Sequence, residues 1–389
     1  MRKKAIGIFA MLLCLTLPLA ACAGTATTDE DNKNTSVSTA NSAEPTKGTS
    51  GSQNPAGAAS FDTSAFSGKV TSCYYAGDGK LLVLADQLNL YDAYSGTVLA
   101  AADVALRDMK IHSFHDGYLV TGIKDDRVVG YLYSADLSLQ KEISFDGLLS
   151  GDFILGSSGI AISEDGKTLA MAGFRNLYLY DLSAGKLTTL LAIDKTAASG
   201  NIKVTALEQI AFAGESGGIL FAGKGNSAGG SDGEDSFSIY GTVSLDGGKI
   251  RITRPASYTI DGFYAGERYL LMEQAFARND GTLLTVEIGT FQEHKLSFSS
   301  TDEGRDGVFA SERGDYFATA VLGSGLTVRI YDTQSGSLLH TETITNADGA
   351  YVQRAPKVVI LDDAKTCMVL LGSGQEEVDT VAETFQFGE

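Results

Sequence analysis

Ile160–Ala172 reads IAISEDGKTLAMA: two apolar runs that close around an acid, a glycine and a lysine. Alternating and continuous apolar runs of five or six residues, broken by Asp-Gly, are the pattern of two antiparallel strands joined by a tight turn. Asp165 and Lys167 admit two readings, a charged pair placed for chemistry or the polar punctuation of a hairpin. The rest of the chain decides between them.

The stretch recurs. Without gaps, Cys73–Ala85 reads CYYAGDGKLLVLA, Val308–Ala320 reads VFASERGDYFATA and Val358–Leu370 reads VVILDDAKTCMVL. Weaker copies begin at Ile111, Ile210 and Ile260. The seven starts, 73, 111, 160, 210, 260, 308 and 358, are spaced by 38, 49, 50, 50, 48 and 50 residues. A near-constant period of this length marks a repeat architecture. The counterparts of Asp165 and Lys167 are Asp78 and Lys80, Arg313 and Asp315, and Asp363 and Lys365, so the charges exchange sign between copies. That pattern belongs to turns and surface, not to a single catalytic pair.

A second phrase closes the third strand in the clearest units: LNLYDAYSG at Leu88–Gly96, LYLYDLSAG at Leu177–Gly185 and VRIYDTQSG at Val328–Gly336. In each, Asp92, Asp181 or Asp332 can accept hydrogen bonds from backbone N–H groups two or three residues on, and the glycine supplies a positive φ. Asp78, Asp165 and Asp363 are the corresponding turn acids of the first hairpins. Four antiparallel strands per unit of 40 to 50 residues is the grammar of a propeller blade. We therefore expect an all-β fold, a seven-bladed β-propeller of four-stranded antiparallel blades over 61–389, with six or eight blades as alternatives. The last unit offers three strands, Pro356–Leu361, Thr366–Leu371 and Val378–Phe387, and Phe61–Phe66 is the expected fourth, joining the two ends of the domain in one blade.

The hairpin phrase SEDGKTLA resembles the WD40-like propeller repeats of bacterial envelope proteins, and YDxxSG resembles the strand ending shared by WD40, YVTN and quinoprotein-like blades. The resemblance spans the folded region and implies blades, not an activity. The chain has no tryptophan and no Gly-His dipeptide, so the structural triads of true WD40 repeats and the cofactor-docking phrases of quinone-dependent dehydrogenases do not carry over.

The N-terminus reads as an address. Arg2, Lys3 and Lys4 precede the apolar run Ala5–Leu19, and Leu19-Ala20-Ala21-Cys22 follows. The run is too short and too interrupted for a good membrane span and fits a secretory signal over 1–21. The last four residues resemble the lipobox of bacterial lipoproteins. That resemblance implies a diacylglycerol thioether on Cys22, cleavage before it, and a lipid-anchored protein on the extracytoplasmic face of a bacterial cell membrane. Residues 22–60 then form a Ser/Thr/Gly tether whose one large apolar side chain is Val37. Such composition cannot offset the entropy of ordering, and the 38 residues Ala23–Ser60 reach roughly 35 Å as coil.

Chemistry-bearing residues are few. The formal net charge of -18 excludes a nucleic-acid partner, which needs clustered Lys and Arg. Cys73 and Cys367 fall on core positions of the first and last units; two buried thiols and a disulfide that staples the ring both fit. His112 and His115, three apart on a strand, point to opposite sides and do not converge on a metal. Surface or blade-edge positions are expected for the histidines. The insertion Gly223–Phe237 carries Asp232, Glu234 and Asp235, either a solvated loop or a weak calcium site. No Gly-x-Ser-x-Gly, His-Glu-x-x-His or P-loop occurs, and no other cofactor is implied. The function expected is a binding or scaffolding module for an envelope protein, peptide or glycan. The alternatives are a propeller hydrolase or lactonase with a channel metal, or a sensory or assembly factor of an envelope complex. Carboxylates with strongly shifted pKa at the channel mouth would favour an enzyme, and an aromatic patch on one face would favour a partner.

Overall fold

The computed structural model describes residues 70–388, apart from 86, 150, 155, 194–196, 199–201, 215–217, 228–235, 247–248, 255–259, 267–268, 275–281, 289, 291, 298–306, 324, 346–350 and 374–377. The expected signal segment, Cys22, the tether, Phe61–Phe66 and the candidate calcium residues Asp232, Glu234 and Asp235 lie outside the described residues.

The described residues from 70 onward form seven antiparallel sheets in chain order. The first strands of the sheets, counting in sheet four from the strand that follows the short Ala197–Ala198, are β1 (Ser72–Tyr75), β5 (Arg107–Phe114), β9 (Ile160–Ile162), β14 (Ile202–Phe212), β18 (Ile260–Ala265), β22 (Gly307–Ala310) and β26 (Tyr351–Leu361). Every one of the seven aligned starts falls on one of these strands. Sheets one, two, three, five and six have four strands in sequential order, and three strands of sheet seven are described.

Seven apolar clusters fill the spaces between neighbouring sheets. Alternation along the first strands assigns their faces. Ile111 and Ile160 pack backward on the preceding sheet, whereas Tyr74 and Ala161 pack forward on the next. The seventh cluster joins Val359, Leu361, Met368 and Leu370 of the last sheet to Tyr75, Leu81, Val83 and Tyr91 of the first. The ring is closed through this apolar contact, and Tyr94 Oη adds a hydrogen bond to Asp363 Oδ1 at 3.4 Å. A seven-bladed β-propeller is the observed fold.

The turn phrases behave as their chemistry dictates. Asp92 Oδ1 accepts from the backbone N–H of Tyr94 (3.1 Å) and Ser95 (2.7 Å), and Asp181 Oδ1 from those of Ser183 (2.9 Å) and Ala184 (2.8 Å). Asp332 Oδ1 accepts from Ser335 N–H at 2.7 Å. Gly96, Gly185 and Gly336 close these turns at φ of 70°, 64° and 68°. In the hairpin of Ile160–Ala172, Asp165 Oδ1 accepts from Ser163 Oγ (2.7 Å) and Lys167 N–H (3.1 Å), and Gly166 has φ 69°. Where the seventh copy has Ala364 in place of that glycine, the left-handed conformation moves to Lys365 at φ 45°.

Two details differ from expectation, and the cysteine alternatives are resolved. Sheet four has five strands, a two-residue strand Ala197–Ala198 lying outside β14. Its glycine-rich segment is not loop from Gly223: Gly218–Ser227 is one strand, and Phe237 opens the next, Phe237–Ser244. A Cβ at Gly223 would stand 2.1 Å from the Ala206 carbonyl oxygen, so the glycine is required by close backbone approach at a bulge. Of the two cysteine alternatives, the thiols are observed and not the disulfide: Cys367 is buried and Cys73 half-buried. Cys367 packs in the cluster between sheets six and seven and Cys73 in that between seven and one, so the seventh sheet stands between them.

Candidate functional site

The first strands of all seven sheets line one central cavity of about 1520 Å3. Its acidic lining is confined to one end. Asp78, Asp116, Glu164, Asp165 and Glu312 line it, and all five stand in turns that link first to second strands. Two bases stand in the same turns and are paired: Lys167 with Asp165 at 3.3 Å, and His115 with Asp116 at 3.9 Å.

Just inside this mouth a polar tie crosses the ring. Glu312 Oε1 accepts from Tyr74 Oη at 3.2 Å and from Ser113 Oγ at 3.2 Å, and the two hydroxyls are 2.9 Å apart. Sheets six, one and two are thus joined. Burial raises the Tyr74 phenol far above its usual range, and the Glu312 charge adds to the effect, so Tyr74 stays a neutral donor. At the neighbouring turn, Asp362 Oδ2 accepts from the Arg313 backbone N–H at 3.2 Å. Burial raises its carboxyl, and Oδ1 is buried without a hydrogen-bond partner.

Deeper along β5 stand Lys110 and His112, two residues apart on the face opposite to Ile111, toward the third sheet. His112 is half-buried with its Nε2 enclosed, not the surface or blade-edge residue that its type suggested. Burial first, and the nearby Lys110 charge second, push its imidazole down to about 3, so it is neutral. His115 lies on the exposed turn, and the two histidines do not converge.

The opposite end of the ring carries a different feature. Phe153 and Phe174 stack at 5.3 Å between ring centroids and 8° between planes, and they are 49% and 52% exposed. Phe174 lies in the turn between the second and third strands of sheet three, β10 (Thr168–Ala172) and β11 (Asn176–Asp181). Phe153 lies in the connection that enters the sheet. Asp152, 8% exposed, fixes both segments. Its carboxylate accepts from the backbone N–H of Phe153 (2.9 Å), Arg175 (3.0 Å) and Asn176 (3.2 Å) and from Tyr178 Oη (3.0 Å). The Phe174 N–H donates to the Phe153 carbonyl at 2.9 Å. The rings are therefore a preset wedge whose outer faces meet solvent.

Residue typing did not find Tyr74, Glu312, Asp152 or the wedge. Glu312 had a signal, since it aligns with Glu164 in the repeat, but its partners lie 199 and 238 residues away in sequence. Asp152 and Phe153 sit in a connection that no other unit repeats. Among the described residues no group of three His, Cys, Asp or Glu side chains is placed to hold a metal.

The sequence matches no protein-family model, and no curated protein is similar to it. Solved structures are similar in fold. The β-propeller domain of Cps50 (Swd1) from Myceliophthora thermophila superposes with a TM-score of 0.55 at 12% identity, over 83% of this chain and 97% of that one. Hydrazine synthase of Kuenenia stuttgartiensis superposes with a TM-score of 0.51 at 13% identity, over 79% of this chain and 93% of that one. At these identities the likeness establishes the propeller and nothing about activity.

Proposed function

We propose that this protein is a membrane-anchored lipoprotein whose propeller binds a partner on the face that carries Phe153 and Phe174. β-Propellers commonly serve as scaffolds for protein binding, with recognition concentrated on loops held by the rigid ring. The observation that carries the reading is the aromatic wedge. Two large apolar side chains left half exposed, yet locked by a buried carboxylate, cost solvation that a partner's surface recovers. A wedge with two outward ring faces suits an apolar pocket on an envelope protein better than a flat glycan. The lipobox-like Leu19-Ala20-Ala21-Cys22 supports anchoring through Cys22, with 22–60 as the tether.

Two measurements test it. Phe153→Ser with Phe174→Ser is expected to abolish a reproducible cross-link in intact cells while leaving the melting temperature nearly unchanged, and an unaltered cross-link pattern would reject the wedge. Cys22→Ser is expected to release the protein from the membrane fraction and to remove metabolic lipid label. Retention with unchanged processing would reject the anchor.

A further inference from the structure

The acids of the channel and its half-buried bases Lys110 and His112 are separated along its length. The five lining carboxylates stand in turns at one mouth, and the two bases there are already paired. Lys110 stands three residues before Ser113 on β5, roughly 10 Å along an extended strand. It lines the same cavity, and among the described residues its ammonium makes no side-chain hydrogen bond or ion pair. The elements packed against that face of β5 are the third sheet's Ile160–Ile162 and the short turn Ser157–Gly159, which carry no charge. His112, beside it on the same face, also lines the cavity, and its buried Nε2 has no hydrogen-bond partner.

A desolvated ammonium without a counter-charge is unfavourable, and a buried imidazole nitrogen without a partner is unfavourable as well. One ligand chemistry relieves both at once. We propose that Lys110 and His112 form the seat for the anionic end, carboxylate or phosphate, of a small molecule lodged in the central channel. The ammonium supplies charge and the imidazole a directed hydrogen bond, whereas the Glu312 tie and the acidic turns close the other end to anions. The ligand enters from the wedge side, and a positive or hydroxylated far end fits toward Glu312 and Ser113. This site goes beyond the partner-binding reading and does not rest on it.

Burial lowers the Lys110 ammonium, which raises its neutral fraction and makes a covalent test direct. Pyridoxal phosphate is an aldehyde with an anionic end. The ε-amine adds to its carbonyl carbon, water leaves to give an imine, and hydride from borohydride fixes the product as a secondary amine. Peptide mapping of the purified full-length protein is expected to find Lys110 modified before exposed Lys186 and Lys249. Inorganic phosphate or succinate is expected to slow Lys110 at least tenfold without slowing the other two. Protection by phosphate alone, or by succinate alone, identifies the anion that the seat prefers. Lys110 reacting no faster than the exposed lysines, or reacting quickly with no protection by either anion, would overturn the site. As an independent arm, the protecting anion should raise the melting temperature of the wild type and not that of Lys110→Met. An equal rise in both would also overturn it. Should Lys110→Met fail to fold, the labelling of the wild type decides.

Discussion

Asp152 and Asp165 lie thirteen residues apart at opposite ends of the same blade. Asp165 is an exposed turn residue that holds two local hydrogen bonds and a surface ion pair with Lys167. Asp152 is buried, collects bonds from four residues and sets the angle of two phenyl rings. Asp165 belongs to a phrase repeated around the ring, whereas Asp152 occurs once. The contrast teaches that repetition marks the scaffold, and that the features able to distinguish this propeller from others sit in what is not repeated.

The sharpest perturbation lies at the seam. Deleting Ser60–Ser67 removes the segment proposed as the fourth strand of the last blade and should lower the melting temperature by many degrees; an unchanged melting curve rejects that role for Phe61–Phe66. Next, Asp152→Ala strands backbone donors in a buried site. A loss of about 3 kcal/mol in urea unfolding is expected, since charged hydrogen bonds contribute 1.5–3 kcal/mol and orphaned donors add their desolvation. The same variant should weaken partner cross-linking although it leaves both phenylalanines in the chain.

Smaller effects are expected in the repeated turns. Asp332→Ala should cost about 1 kcal/mol, in line with the loss of a side chain that satisfies turn N–H groups. Asp165→Ala should cost less than about 0.5 kcal/mol, because its ion pair is solvent-exposed and screened. A loss at Asp165 as large as that at Asp152 would break the comparison. The turn acids also set a pH dependence. Hydrogen bonds from the Ser95 backbone, then the Ser95 side chain, hold the Asp92 carboxyl below its ordinary range, and bonds from Ala184 and Ser183 do the same for Asp181. A carboxyl depressed in the folded state stabilises it above the unfolded pKa, near 4, and loses that contribution as pH falls through the folded value. The urea midpoint should therefore decline below pH 4, and less in Asp92→Asn than in the wild type.

Much of the scaffold was legible because a blade's strands are neighbours in sequence. Seven hairpin starts fell on seven first strands, and three Tyr-Asp phrases fell on three turns. Fourth-sheet details were not legible, since a glycine demanded by the Ala206 carbonyl looks in sequence like a glycine in a loop. Nor was the position of Cys367 relative to Cys73, because membership of adjacent blades does not say which face of the shared sheet each occupies. The Glu312 tie depends on ring closure, which converts separations of 199 and 238 residues into contact. The enclosure of His112 Nε2 was not legible, because strand alternation fixes a side chain's direction but not what packs over it.

Partner binding through the wedge can be tested by placing a photo-reactive phenylalanine analogue at Phe174 and, as a control, at exposed Leu139 of another blade. Irradiation of intact cells should give one discrete adduct from position 174 and none from 139, with the adduct lost when Asp152→Ala is added. Equal adducts from both positions, or none from 174 in cells that display the protein, would contradict partner binding on this face.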